Sequence, residues 1–285
     1  MSKSETIERL SELAYQHRIK LIELCKSYGG IVHVSGDLSA SEVLIALYHY
    51  GMNVDPNNIE APDRDRFILS KGHAAVGMYI AMALRGFFDM DDIFATYGKL
   101  DTAYGMHPCK VHLPGVESST GSLGHGLPIA LGMALMARQK NEKYRVFTLL
   151  GDGETGEGTT WESAMVASSY KLGNLIAIVD RNRQFMTSFS DSGFVHLEPY
   201  AEKWRSFGWN VIETAGNDMS AVVDAIDAIP SSDSDKPTVL LCETIKGKGV
   251  SFMERNVSWH SGILTDEQAE VALKDLEMAY CGGQK

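Results

Sequence analysis

Between Arg145 and Asn182 the chain carries two short, continuously apolar runs, Val146–Leu150 and Leu175–Val179. The first is followed by Gly151-Asp152-Gly153 and the second by Asp180-Arg181-Asn182. Runs this short, rich in branched residues and free of polar alternation, read as strands buried on both faces, the pattern of a parallel sheet. Parallel neighbours need a crossover. Thr160–Leu172 supplies one, with Trp161, Ala164, Met165, Ala167 and Ser168 at helical spacing and Gly173 to close it. The fold class that follows is α/β, a doubly wound parallel sheet flanked by helices, in which ligands bind beyond the carboxyl ends of the strands. Asp152 and Asn182 stand at two such ends, so both point into one crevice.

Two oxygen donors beside glycines that let backbone approach a phosphate suit Mg²⁺ holding a diphosphate. Gly-Asp-Gly alone is an ordinary turn. Here the acid follows a strand directly, Glu157-Gly158 continues the pattern, and a second strand ends at Asn182. The acids after Asp152 do not keep the alternate spacing of an EF-hand, and no Walker lysine follows a GxxxxG. Gly-Asp-Gly, then about thirty residues, then Asn resembles the thiamine diphosphate signature.

The 285 residues, 44% hydrophobic and 22% charged, allow one large α/β domain over the whole chain, 1–285. A net charge of −11 disfavours nonspecific nucleic-acid or anionic-membrane binding, which rest on cationic patches. Cys25, Cys109, Cys242 and Cys281 show no CxxC spacing, so neither zinc nor a redox pair is suggested. The first residues are amphipathic and charged, without the apolar centre of a secretion signal, and no run approaches membrane-spanning length. The expectation is a cytoplasmic enzyme.

Residues 4–27 repeat apolar positions at three and four (Ile7, Leu10, Leu13, Ala14, Leu21, Leu24), one long helix ended by Gly29-Gly30. Ser39 followed by Glu42 reads as a capping box starting a helix over Ala40–Tyr50, with His33 in the loop before it. Phe67–Leu69 is a short strand, followed by a tight loop with His73 and a helix of small residues. Asp91–Tyr97 is helical, and a Gly-rich loop, Gly115 to Gly126, leads into the apolar helix Leu127–Arg138. After Asn182 the stretch 183–199 has no periodicity and is a candidate loop over the site. Asn210–Glu213 and Thr238–Cys242 are further strands, and His260 lies in a loop before a capped C-terminal helix.

Four segments together carry a family resemblance. His33-Val-Ser-Gly-Asp-Leu-Ser-Ala is similar to the HPGGSLSAAD-type segment of transketolases, with Val34 where the family usually has proline. SKGHA matches an S-x-GH element, GVESSTGSLGHG resembles GVExxTGxLGxG with His107-Pro108 at the family's distance before it, and Trp259-His260-Ser261-Gly262 matches the final active-site histidine. The likeness covers nearly the whole chain, in order, and is to the N-terminal, diphosphate-binding half of transketolase. Arg183 and Met186-Thr187-Ser188 depart from the family where an Ile-Asp-Gly stretch is common.

By that resemblance the fold is the thiamine diphosphate-binding (diphosphate-binding domain) type, and Asp152, Asn182 and the Gln184 carbonyl bind Mg²⁺, which Ca²⁺ or Mn²⁺ could replace. Gly153, His73, Asn182 and His260 contact the diphosphate, and Gly121, Ser122 and Leu123 contact the cofactor ring. Met186 packs on the thiazolium, a contact suited to a thioether. The resemblance makes His33, His107 and His260 the catalytic groups that hold substrate oxygens and move protons, as neutral imidazoles can near pH 7. Glu157 resembles the acid that faces the dimer contact between two cofactors.

The chain has about half the family's length, and the family's other half carries the glutamate that activates the aminopyrimidine and most substrate-phosphate groups. The resemblance therefore implies one subunit of a split transketolase. It would be active only with a C-terminal, pyrimidine-binding partner, as an α2β2 assembly acting on sugar phosphates. Two alternatives remain open: an E1-alpha-like subunit of a 2-oxo acid dehydrogenase, which would share Gly-Asp-Gly but not the HxxGxLS and SKGHA elements, and a non-catalytic regulatory subunit. The sugar itself is not legible, whether from pentose-phosphate metabolism or a dedicated route for an unusual or sulfonated sugar.

Overall fold

The computed structural model describes residues 1–186, 188–189 and 196–283. Helix α1 (Lys3–Tyr28) is opened by a capping box. Ser2 Oγ accepts the Glu5 N–H at 3.2 Å, and Glu5 accepts the Ser2 N–H at 2.7 Å. Gly29, at φ 66°, ends it in the left-handed conformation that a side chain would strain.

The next segment departs from the sequence expectation. Instead of one helix over Ala40–Tyr50 there are two short ones, α2 (Val34–Ser39) and α3 (Ser41–Ala46), continued by a wide π turn over Leu47–Gly51. Ser39 and Glu42 form no capping box. The Ser39 hydroxyl donates to Gly36 O at 3.0 Å and to Asp180 Oδ2 at 2.6 Å, and both Glu42 oxygens accept from the buried Arg18 guanidinium at 2.6 Å. Long-range polar partners thus replace the local ones. His33 immediately precedes α2, as the loop placement requires.

Strand β1 (Arg66–Leu69) leads through a 3₁₀ turn over Gly72–Ala74 into α4 (Ala75–Arg85), and α5 (Met90–Thr96) and α6 (Gly126–Gln139) follow. Next come β2 (Val146–Gly151), α7 (Gly158–Ser169) and β3 (Leu175–Arg181). Helix α7 begins two residues earlier than its apolar spacing suggests and stops at Ser169, where Lys171 takes the positive φ in place of Gly173. The chain ends with α8 (Tyr200–Ser206), β4 (Asn210–Ala215), α9 (Met219–Asp227), β5 (Thr238–Glu243) and α10 (Asp266–Gly283). Thr265 and Gln268 cap α10 reciprocally, at 3.1 and 3.2 Å.

The strands form one parallel sheet in the order β1-β2-β3-β5-β4, with Val146 opposite Leu175 and Gly151 opposite Asp180. Every residue of β3 is buried. Its side chains alternate between two cores, as a pleated strand covered on both faces must. Ile176 and Ile178 face a core shared with α1, α3 and α4, whereas Leu175, Ala177 and Val179 face one shared with α6, α7 and α8. Residues 187 and 190–195, in the expected loop over the site, lie outside the described residues. Among those described, no helix is long and apolar enough to cross a membrane.

Candidate active site

The carboxyl ends of β1, β2, β3 and β5 surround a cavity of about 590 Å³. His33, His73, His107 and His260 line it together with Gly121, Leu123, Asp152 and Gly153. Asn182, Gln184 and Met186 complete the set of expected residues found there. A cavity of about 690 Å³ lies elsewhere, between α1 and α10, and contains none of the sequence motifs. The 590 Å³ cavity is the candidate site, because it gathers four separated motifs where an open parallel sheet presents its loops.

Backbone pairing closes the distance in sequence between its two histidine loops. Val32 and Gly262 exchange both backbone hydrogen bonds, at 3.0 and 3.1 Å, and Gly247 N–H donates to Ser35 O at 2.9 Å. His33, His73 and His260 consequently form one cluster, with ring centroids 5.2, 5.3 and 5.8 Å apart. Burial disfavours the charged imidazolium in all three. It lowers the pKa of His33, with His107 and Lys246 adding to the effect, takes His73 down to about 2 with help from Lys71, and takes His260 to about 3 with help from Lys246. All three rings are neutral at pH 7. His107 is exposed at the rim, and Gly121 is a glycine there because a Cβ would sit 3.1 Å from the His107 ring.

At the opposite wall Asp152 is 2% exposed. Its oxygens accept the N–H groups of Gly153 at 2.8 Å and Arg183 at 2.7 Å, and no cationic side chain pairs with it among the described residues. Burial, followed by the nearby Asp180, pushes its pKa up to about 7. A buried carboxylate held by backbone amides suits a cation, and the neighbouring donors suit a hard one. Asn182 Oδ1 faces the Gln184 N–H at 3.2 Å, and the buried Gln184 side-chain amide has no hydrogen-bond partner among the described residues. These oxygen and amide donors are of the kind a hard cation takes. Met186 is 66% exposed, at the mouth.

Two lysines and a glutamate in the cavity wall escape a reading based on motifs. Lys71, within SKGHA, pairs with Asp180 and is 1% exposed. Lys246 Nζ lies 2.7 Å from His260 Nδ1. An ammonium donates and never accepts, so Nδ1 is the acceptor and the His260 ring proton sits on Nε2. Burial, followed by repulsion from Lys71, lowers the Lys246 pKa to about 8. Glu154 is 3% exposed and accepts the N–H groups of Gly124 at 2.8 Å and Gly151 at 3.0 Å as well as the Ser70 hydroxyl. It ties the glycine loop before α6 to the ends of β1 and β2. The one advance sign of the lysines was their position beside motif residues.

Ser122 and Glu157 do not line the cavity, and both are exposed. Glu157 precedes α7 and packs against Gly124, where φ is 77° and a Cβ would overlap the glutamate side chain. Helices α6 and α7 start beside this edge, and Met136, Met165, Val166 and Tyr170, toward or just past their C-terminal ends, are 38 to 57% exposed.

Comparison with known proteins fits this geometry. The chain is 39% identical over 264 residues to an apulose-4-phosphate transketolase subunit of Actinobacillus succinogenes, covering 93% of this chain and 94% of the relative. It is 39% identical over 248 residues to a 6-deoxy-6-sulfo-D-fructose transketolase subunit of a Clostridium species, covering 87% and 89%. Among solved structures, transketolase from Campylobacter jejuni superposes with a TM-score of 0.87 at 26% identity. That match covers 97% of this chain and 43% of the longer enzyme, so the chain spans under half of that enzyme. Residues 16–280 match the family described as transketolase, thiamine diphosphate binding domain, and this chain belongs to that family.

Proposed function

We propose that this chain is the diphosphate-binding subunit of a two-subunit transketolase, which moves a two-carbon glycolaldehyde unit from a ketose donor to an aldose acceptor. The observation that carries this reading is the neutral imidazole cluster, His33, His73 and His260, facing the acid and amide at the ends of β2 and β3 across one cavity. Both relatives are transketolase subunits of comparable length, one named for a sugar phosphate and the other for a sulfonated sugar. A donor ketose with an anionic end is therefore the substrate class.

In this reading Asp152, Asn182 and the Gln184 carbonyl hold Mg²⁺. Gly153, His73 and Lys246 face the diphosphate, and Gly121, Leu123 and Met186 flank the ring. When bound, thiamine diphosphate supplies the carbon that breaks and remakes the ketose C2–C3 bond. The chain's own groups position the sugar and handle protons. His260, fixed as an Nε2–H donor by Lys246, holds a substrate oxygen. His33 is neutral and can accept a hydroxyl proton as the bond breaks and return it to the acceptor. His107, at the rim, contacts the sugar from the solvent side.

By the family resemblance the partner supplies the acid for the aminopyrimidine and groups for the substrate's anionic end. The exposed apolar side chains toward the C-terminal ends of α6 and α7 are the surface on which it docks, as an α2β2 assembly. The first test is calorimetric titration of thiamine diphosphate with and without Mg²⁺, into the chain mixed with a transketolase C-terminal subunit. Binding that requires Mg²⁺ and is lost in Asp152→Ala supports the reading. Metal-independent binding, or none, overturns it.

A further inference from the structure

Beneath the cavity floor lies a polar centre built on an acid that reaches neither the cavity nor solvent. Asp180 is completely buried, and its two carboxylate oxygens receive four donors. They are the Ser39 hydroxyl at 2.6 Å, the Asn182 amide nitrogen at 3.0 Å, the Lys71 ammonium and the Thr244 hydroxyl. Lys71 also donates to Gly36 O at 2.9 Å. Three of the four, from Ser39, Lys71 and Asn182, converge on Oδ2, and Thr244 donates to Oδ1.

The sequence positions of these partners matter. Gly36 follows His33 by three residues, Lys71 precedes His73 by two, Asp180 precedes Asn182 by two, and Thr244 precedes Lys246 by two. One buried acid thus joins α2, the loop after β1, the end of β3 and the loop after β5, each carrying a residue that lines the cavity or adjoining one that does. Paired with Lys71, Asp180 Oδ2 accepts from the Asn182 NH₂ at 3.0 Å, which turns that nitrogen inward. Oδ1 then faces the opposite way, toward the Gln184 N–H and the cavity.

We infer that Asp180, held by Lys71, is a positioning residue that fixes the Asn182 amide for the metal and sets the four loops in mutual register. Stability alone gives no reason for the pair, because well-packed apolar residues replace buried ion pairs with little loss. What they cannot replace is an acceptor that dictates the orientation of a neighbouring amide.

The inference rests on the Mg²⁺–thiamine diphosphate reading, so the test separates the two. In the full chain with its partner, Asp180→Asn and the apolar double variant Lys71→Met/Asp180→Leu are compared with wild type. One readout is thermal melting and the other the Mg²⁺ concentration that half-saturates thiamine diphosphate binding. The double variant is expected to melt below wild type, because the Thr244 hydroxyl and the Asn182 NH₂ lose their acceptor, and where folded to need about tenfold more Mg²⁺, the scale of losing an outer-shell partner. Thr244→Val, which removes one donor and no charge, guards against variants that do not fold, and its Mg²⁺ requirement should rise two- to threefold, by about 0.5 kcal/mol. A folded double variant with the wild-type requirement, or an unchanged Thr244→Val if the others fail to fold, overturns the inference. If wild type binds no cofactor, the functional reading fails instead.

Discussion

The two ends of the cavity are built differently. At the inner end Lys71, Asp152 and Glu154 are 1 to 3% exposed, and buried hydrogen bonds tie the loops to one another. At the outer end Met186 is exposed, and just outside the cavity Ser122 and Glu157 are exposed where α6 and α7 start. In the proposed reading, the chain finishes the end that takes metal, diphosphate and donor-sugar protons and leaves the end toward the cofactor ring open. Residues at the inner end should therefore act within the chain, and residues at the outer end only through assembly.

The sharpest way to break this contrast is at the metal wall. Asp152→Ala removes an acid that pairs with no cationic side chain among the described residues. Mg²⁺-dependent cofactor affinity is expected to fall by more than about 100-fold, roughly 3 kcal/mol. Calorimetric titration measures it, and a loss under about threefold would place the metal elsewhere.

The histidine cluster comes next. His33→Ala should lower kcat by about 10² to 10⁴, the range for a proton-transfer group, while cofactor affinity shifts less than about threefold. Equal losses in both quantities would make His33 a cofactor ligand instead.

Lys246 gives the contrast a pH signature. Its pKa is lowered to about 8 in the free chain. The protonated form attracts diphosphate, so affinity should be level below pH 8 and fall as pH rises through it, about tenfold by pH 9. Lys246→Met should bind about tenfold more weakly at pH 7 and lack the alkaline decline. A wild-type profile that is flat to about pH 9 would remove the lysine from the diphosphate.

The smallest change is expected at the outer end. Glu157→Gln, at an exposed position, should leave cofactor affinity within about twofold and weaken association with the partner, measured by light scattering at several concentrations. A large loss of cofactor affinity would mean that the outer end is completed within the chain.

The sequence disclosed what is local or periodic. Unbroken apolar runs marked β2, β3 and β5 because strands covered on both faces have no polar alternation. The motifs marked Asp152, Asn182 and the four histidines around the cavity, the histidines through likeness rather than chemistry, and Gln184 and Met186 likewise came only from the family resemblance. Sequence misled where a side chain's partner is remote. Ser39 and Glu42 have capping-box spacing, but Asp180 and Arg18 claim them from across the fold, and the helix breaks at Ala40. Lys71 and Lys246 were silent for the same reason, since their burial depends on strands that meet only after folding.

The most direct measurement is two-carbon transfer from a ketose phosphate to an aldose, with thiamine diphosphate and Mg²⁺, by this chain alone and mixed with a transketolase C-terminal subunit. The expected result is turnover in the mixture and none from the chain alone. Turnover by the chain alone would contradict the account, because it would show that the open end of the cavity needs no second subunit.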